Sequence, residues 1–156
     1  MTNRLFSFCL TVLALSGTAV APGEAQTMPA IASTDTALAL SSRVEILRTE
    51  YGIPHIFAED WKAFGFAMGW VQSEDYGDQV AVGIVRGRGV FGRYAGRDSI
   101  AGDFAAREAH AVAAARYASL EPRARATYDG FAEGVNEYAR QYPQLFPDWL
   151  VPDFTG

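Results

Sequence analysis

Our candidates for acid–base or nucleophilic chemistry in this sequence are its two histidines, its one cysteine and one of its two pairs of adjacent carboxylates, Glu74-Asp75. His55 lies in an apolar run beside Pro54, and His110 lies in an alanine-rich stretch. Neither histidine has a serine or cysteine beside it in a nucleophile motif, and the sequence contains no G-x-S-x-G. Because nucleophilic catalysis requires a nucleophile within reach of its base, we interpret both histidines as structural.

The adjacent carboxylates are Glu74 and Asp75, at the polar end of a helical pattern. Neighbouring residues on a helix point in different directions, so these two do not form a matched acid–base couple. One of them could be an active-site carboxylate. We favour pairing with arginines such as Arg86 and Arg93, because a buried charge is costly without a partner. No group of His, Cys, Asp and Glu has the spacing of metal ligands, and we predict no metal site.

Gly87–Gly92 reads G-x-G-x-x-G, which is the fingerprint of a dinucleotide site. Such a fingerprint should open a helix, but Gly96 and the Arg97-Asp98 pair break the chain within one turn. We therefore reject a nicotinamide site and predict no cofactor. The same arginines could form a nucleic-acid patch, but their flanks are acidic overall and phosphate binding needs a wider basic surface. We predict no nucleic-acid partner.

The elements that position these residues are best defined in Tyr51–Asp75. Gly52 can adopt a positive φ without steric cost, and Pro54 keeps the residue before it extended. With Val44–Arg48 before the turn, the run Pro54–Ala58 predicts a β-hairpin. A two-stranded hairpin is marginal alone, so we expect it to pack on a neighbouring element.

A helix should follow the hairpin, because Asp60 is a good N-cap. Its apolar residues fall at helical spacing on one face: Phe64, Ala67, Met68 and Val71. Gly65 and Gly69 lower the helix propensity but allow another backbone to come very close. The run Gln79–Val85 fits either a helix or a strand, and we favour a helix.

The second half of the chain predicts two more helices. Arg86–Arg97 is too rich in glycine for a long regular element. Asp103 should cap a helix over Phe104–Tyr117, and Ser119 should begin another that reaches about Gln141. That last helix has an apolar stripe and is followed by aromatic residues: Tyr128, Phe131, Val135 and Tyr138, then Phe146, Trp149 and Phe154. If these surfaces belong against a second chain, this chain alone should be sticky or partly unfolded.

Residues 1–25 have the layout of a secretory signal peptide. A positively charged start is followed by the apolar run Leu5–Leu15 and by small-residue cleavage sites after Ala21 and Ala25. The run is too short to cross about 30 Å of hydrocarbon as a helix. We therefore predict a periplasmic or secreted protein with no membrane segment after cleavage. Residues 26–42 are rich in Ala, Ser and Thr without a clean period, which is typical of a linker.

The remaining composition describes an ordinary folded chain. With 49% hydrophobic and 13% aromatic residues, the 156 residues are too apolar to be disordered. The formal charge of -5 gives no general affinity for nucleic acid or anionic membranes. Cys9 lies inside the predicted signal peptide, so cleavage leaves no cysteine to form a disulfide.

Three phrases carry a resemblance to a known family: Arg48-Thr-Glu-Tyr-Gly-Ile-Pro-His55, Gly65-Phe-Ala-Met-Gly69 and Gln72-Ser-Glu-Asp75. In order and spacing they resemble the N-terminal segment of penicillin acylase precursors, in the N-terminal nucleophile hydrolase superfamily. The resemblance covers residues 43–156 and assigns a framework role to nine residues: Tyr51, Gly52, Pro54, His55, Gly65, Gly69, Gln72, Glu74 and Asp75.

The resemblance implies a fold and a reaction. The whole enzyme would be an αββα sandwich, to which this chain adds an α+β part: a short N-terminal hairpin and a mostly helical lobe. Members of this family hydrolyse linear amides, such as the acyl side chain of β-lactams or acyl-homoserine lactones. Their nucleophile is a serine exposed by autoproteolysis, whose own α-amino group acts as the base.

The same resemblance places the chemistry outside the residues seen here. The nucleophilic serine would lie beyond Gly156, so we assign no catalytic residue to this chain, and its substrate-binding residues are unknown. The implied partners are a downstream β chain of the same precursor and a small-molecule amide; calcium is possible in the full-length protein only. Pro152–Gly156 is similar to a phrase that introduces another helix in this family, so we expect the precursor to continue.

A second interpretation is not enzymatic: the chain could be a periplasmic helical binding or interaction module, complete in itself. The sequence encoded after Gly156 distinguishes the amidase interpretation from the binding-module interpretation. Several hundred further residues with a Gly-Ser-Asn-like cleavage junction would favour the amidase.

Overall fold

The computed structural model of this protein describes residues 36–156. The predicted signal peptide, its Cys9 and residues 26–35 of the predicted linker lie outside this range. The elements are, in chain order, α1 (36–41), β1 (Val44–Arg48), β2 (Pro54–Ala58), α2 (Trp61–Tyr76), α3 (Asp78–Gly87), α4 (Gly92–Ala95), α5 (Ile100–Arg116) and α6 (Pro122–Gln141). Short 3-10 turns cover Arg97–Ser99, Tyr117–Ser119 and Pro143–Leu145. The predicted α+β architecture, a hairpin followed by a mostly helical lobe, is confirmed.

The hairpin forms where the sequence predicts it. Strands β1 and β2 pair antiparallel, with Val44 opposite Ala58 and Arg48 opposite Pro54. Gly52 closes the turn with a φ of 76°, and its N–H donates to the Thr49 carbonyl at 2.9 Å. A residue with a side chain would be strained at that φ, which explains the glycine.

Helix α2 begins at its predicted cap. The Asp60 carboxylate accepts a hydrogen bond from the Ala63 amide at 2.8 Å. That bond, together with the charge of Arg43, lowers the pKa of Asp60. Arg43 precedes β1 and also forms an ion pair with Asp60, so the open end of the hairpin is tied to the start of the helix.

The linker prediction differs from the structure at residues 36–41, which form α1. Ala37 and Leu40 are each only 1% exposed and belong to one apolar cluster with Ala63 and Phe66. The composition explains the difference: alanine and leucine have high helix propensity, and two apolar residues three apart make one buried edge.

Helices α2 and α6 cross at very close range. A Cβ placed on Gly65 or Gly69 would lie closer than 3.0 Å to the carbonyl groups of Thr127 and Phe131 in α6. Reciprocally, a Cβ on Gly130 or Gly134 would meet backbone carbonyls of α2. The predicted close approach at Gly65 and Gly69 is therefore present, and its partner is a second Gly-x-x-x-Gly.

The buried face of α2 is wider than the predicted stripe. Phe64 and Met68 are only half-buried, whereas Ala63 and Phe66, outside that stripe, are buried. The reason is that α2 is covered on several sides, by α6, by the hairpin and by α3. A helix packed this way has no single apolar stripe that its periodicity could reveal.

The C-terminal apolar residues largely pack within the chain itself. On α6, Val135 and Tyr138 are buried, while Tyr128 at the first end of the stripe is 56% exposed. After α6, Phe146 and Phe154 join the same core cluster. These apolar residues therefore do not need a second chain to cover them.

Helix α5 begins earlier than predicted, at Ile100, and Asp103 does not cap it. Instead, the buried Asp103 carboxylate accepts hydrogen bonds from the amides of Phe91 at 3.0 Å and Gly92 at 2.8 Å. The free amides at the start of α4 need an acceptor, and a carboxylate twelve residues ahead satisfies them. Ser119 is likewise not the cap of α6, since its hydroxyl donates to the Arg116 carbonyl.

The run predicted as helix over Gln79–Val85 is confirmed as part of α3. It is separated from α2 by Gly77, whose φ is 53° and whose N–H donates to the Ser73 carbonyl at 2.8 Å. Within residues 36–156, no helix combines the length and the apolar character needed to cross a lipid bilayer.

Candidate functional site

Three of the nine framework residues, Gly52, Glu74 and Asp75, contact one arginine at the tip of the hairpin. The Nη2 of Arg48 lies 2.5 Å from the Glu74 carboxylate and 2.8 Å from the Asp75 carboxylate. Its Nη1 donates to the Gly52 carbonyl at 2.8 Å. The hydrogen bonds to Glu74 and Asp75 raise the pKa of Arg48, and the bond to Glu74 has the larger effect. This cluster joins the turn of the hairpin to the last turn of α2.

The two carboxylates pair with an arginine, as predicted, but it is Arg48 and neither Arg86 nor Arg93. Arg86 instead lies over the Phe91 ring, with its guanidinium carbon 4.4 Å from the ring centre. Arg48 is the residue that forms an ion pair with Glu74. The carboxylates also are not buried, since their side chains are 45% and 36% exposed for Glu74 and Asp75. Carboxylates that are neutralised by arginine and open to water are poorly suited to act as a general acid.

The two histidines occupy exposed positions on different elements. His55 lies on β2 directly opposite Leu47, and His110 lies on α5. Among the residues that the structure describes, no hydrogen bond joins either histidine to a serine hydroxyl. The arrangement offers no nucleophile–base pair.

The glycine-rich fingerprint has an internal explanation. Its Phe91 and Gly92 amides, which a phosphate would need, are occupied by the Asp103 carboxylate. Helix α4, which follows, has only four residues and ends at Gly96 with a φ of 89°. A dinucleotide site is rejected because the sequence predicts a break in the chain at Gly96, and α4 ends there.

Two shallow cavities accompany these elements. One, of about 200 Å³, lies between α1, the hairpin and α2 and is lined by Val44, Ile46, Phe66 and Trp70 among others. The other, of about 230 Å³, includes Asp103. Both are smaller than the roughly 300–1,000 Å³ usual for small-molecule sites. In residues 36–156, no three His, Cys, Asp or Glu side chains come together as a metal site would require.

Asn136 is a polar residue that the sequence analysis did not single out. It is 5% exposed and lies on α6. Its Nδ2 donates to the Phe154 carbonyl at 2.8 Å, and its Oδ1 accepts from the Phe154 amide at 2.9 Å. The sequence did contain a signal for this role, because Asn136 lies between Ala132 and Ala139 on the buried side of a helix. A polar side chain in such a position needs hydrogen-bond partners.

Ser73 is a second buried polar residue that the sequence analysis passed over. Its hydroxyl is fully buried on α2 and has no hydrogen-bond partner among the described residues. A serine that is left unsatisfied inside a helix interface stabilises little, because burial of a lone hydroxyl costs free energy. The side chain is small enough to fit between α2 and its neighbours, which accounts for its presence there.

Comparison with known proteins gives these elements a family. The penicillin amidase family profile matches residues 43–155. The acyl-homoserine lactone acylase PvdQ of Pseudomonas fluorescens is 27% identical over an alignment that covers 100% of this chain and 21% of that protein. Penicillin G acylase of Escherichia coli is 30% identical over 72% of this chain and 13% of that protein.

A solved structure agrees in fold. Thermostable penicillin G acylase from Alcaligenes faecalis superimposes with a TM-score of 0.57 at 26% sequence identity, covering 72% of this chain and 63% of that chain. This chain spans about a fifth or less of the length of the two curated relatives. With the family profile matched from Arg43 almost to the last residue, this chain belongs to the penicillin amidase family.

Proposed function

We propose that this chain is the N-terminal part of an exported amide hydrolase that cleaves linear carbon–nitrogen bonds. The substrates proposed are the acyl side chains of β-lactams or acyl-homoserine lactones. The observation that carries the proposal is the family match over residues 43–155, within which the Arg48 cluster joins the hairpin to α2.

The proposal assigns the chemistry to residues that follow this chain. A downstream serine, freed as a new N-terminus, supplies the hydroxyl, and its α-amino group removes the proton. Preorganised donors for the oxyanion come from the same downstream part. Family members are processed from precursors into two chains, which supports a partner β chain. The part described here supplies a scaffold of hairpin and crossed helices.

Residues 1–156 alone should hydrolyse neither penicillin-type nor acyl-homoserine lactone amides above background. The reason is chemical, since the proposed mechanism needs a hydroxyl and a free α-amine on one residue. The measurement is an amidase assay on the purified chain, then on the same chain co-expressed with the sequence downstream of it. We expect activity in the second case only, lost when the downstream N-terminal serine becomes alanine.

Two variants test whether a residue of this chain acts in that assay. Turnover by the chain alone that survives both His55→Ala and Glu74→Ala would contradict the proposal that a downstream serine is the nucleophile. Turnover lost with either substitution, in a variant that keeps the wild-type circular dichroism spectrum and unfolding midpoint, would mean that the side chain takes part in the reaction. The conservative control is Glu74→Gln, which keeps the shape and removes the charge.

Export is proposed from the signal-peptide layout of residues 1–25. The mature N-terminus should lie between Pro22 and Gln26, because the small-residue sites end at Ala21 and Ala25. N-terminal sequencing of periplasmic or secreted material measures it directly. An intact Met1 on the folded protein would contradict export.

A further inference from the structure

We propose that the outer face of the hairpin is the surface on which the downstream chain of the same precursor docks. We call four residues of this face the hairpin patch: Leu47, Ile53, His55 and Phe57. Glu45, directly opposite Phe57, and Thr49, opposite Ile53, lie on the same face. The inference rests on the proposed function, since that function supplies the downstream chain.

The strand register makes the patch continuous. Leu47 lies directly opposite His55, so both side chains are on one face of the sheet. The Thr49 amide donates to the Ile53 carbonyl at 3.1 Å, which extends the same register to Ile53. Ile53 and Phe57 are then the two diagonal neighbours of Leu47, at a spacing of roughly 7–8 Å. Three large apolar side chains therefore surround His55.

The patch is open to water, whereas the apolar residues of the other face, Val44, Ile46 and Ile56, are partly buried. Leu47 is 50% exposed, and Ile53 and Phe57 are each 57% exposed. The opposite face carries Val44, which packs against the cluster that contains Phe66. One face therefore already satisfies the hairpin's need for a packing partner, and among residues 36–156 the apolar side chains on the other face stay largely open to water. Contiguous exposed apolar side chains mark interaction surfaces.

Length and charge indicate the occupant. This chain covers 21% and 13% of the two curated relatives, so most of such an enzyme lies outside it. Three exposed glutamates lie along the hairpin: Glu45 directly opposite Phe57, Glu50 in the turn and Glu59 just after β2. An apolar centre with a charged rim is the usual anatomy of an interface. The facing surface should therefore be apolar, with Lys or Arg at its margin.

The test uses the full precursor with a tag on this chain. The polar variant combines Leu47→Ser with Phe57→Ser, and the matched control combines Leu47→Met with Phe57→Leu. We expect the polar variant to weaken association of the two processed chains by roughly 100-fold or more, because truncated apolar anchors dominate interface energetics. The control should stay within a few-fold of wild type. Both positions are exposed, so the lobe itself should keep its circular dichroism spectrum.

Hydroxyl-radical labelling of the wild-type protein gives a readout that needs no variant. Phe57 should be protected in the two-chain enzyme and labelled once the chains are separated. Labelling that stays high in an active two-chain enzyme, with the polar variant associating as tightly as wild type, would overturn the docking surface alone. If the wild-type precursor neither forms two chains nor hydrolyses amides, the proposed function is wrong, and the docking proposal, which rests on it, is wrong as well. Loss only of self-association would mean that the occupant is a second copy, which also overturns the proposal.

Discussion

Replacing Gly65 with alanine should lower the free energy of unfolding of this protein by about 2 kcal/mol. A Cβ at Gly65 would lie closer than 3.0 Å to the Thr127 carbonyl, which belongs to the backbone of α6 and cannot rotate away. The helices must then move apart along their whole crossing. Overpacking costs typically 1–3 kcal/mol and occasionally more, and a Cβ this close to a backbone oxygen belongs at the upper end of that range. The gain in helix propensity offsets about 1 kcal/mol of it, which leaves a net loss of about 2 kcal/mol.

Gly83→Ala is the matched control, because it makes the same substitution in α3 where nothing lies within 4 Å of the new Cβ. That variant should be more stable than wild type by roughly 0.5–1 kcal/mol, through helix propensity and a less flexible unfolded chain. Urea unfolding followed by circular dichroism measures both variants. Equal midpoints for Gly65→Ala and Gly83→Ala would mean that α2 and α6 do not meet through glycine.

Gly134→Ala tests the same contact from the other helix. A Cβ there would meet the Phe66 carbonyl of α2, so its loss of stability should resemble that of Gly65→Ala. The double variant should lose less than the sum of the two, since both substitutions separate the same pair of helices. The spacing of Gly130 and Gly134 repeats that of Gly65 and Gly69, and this repetition was available in the sequence as a signal for the pairing.

The sequence predicts best those elements whose signals are local. Asp60 caps α2 because its carboxylate and the amide it accepts from are three residues apart. The hairpin is likewise determined by Gly52 and by two short strands on either side of it. Interactions at this separation depend on backbone geometry within one turn, which residue type largely fixes.

The interactions that sequence analysis mistook or missed join residues far apart in the chain. Arg48 and Glu74 are 26 residues apart, and their pairing depends on how the hairpin lies along α2. Asp103 is a good cap by residue type, but the fold brings the amide of Gly92 to it, eleven residues away. Composition shows that a carboxylate needs a partner without showing which of several arginines or amides the fold brings near. This limit applies to the site as well, because Gly52, Glu74 and Asp75 meet at Arg48 only once the hairpin is packed against α2.

Removing the Asn136 side chain should loosen the end of the chain from the helical lobe. Asn136→Ala leaves both backbone groups of the buried Phe154 without their partners. Each buried group left unsatisfied costs roughly 1–3 kcal/mol, so the two together should cost about 2–6 kcal/mol. Hydrogen exchange should show the Phe154 amide losing its protection. Thr155→Ala, at the exposed neighbouring residue, is the control and should leave stability and protection unchanged.

Asn136→Asp separates the two hydrogen bonds. The carboxylate can still accept from the Phe154 amide, but it cannot donate to the Phe154 carbonyl and brings a buried charge next to that oxygen. Burial and the facing carbonyl favour the protonated form, so the pKa of the new carboxyl should be higher in the folded than in the unfolded state. Stability should therefore increase as the pH falls and the carboxyl, once protonated, donates as the amide does. Full amide protection with stability that does not change with pH would mean that the bond to the carbonyl contributes nothing, and that Asn136 holds Phe154 by the amide alone.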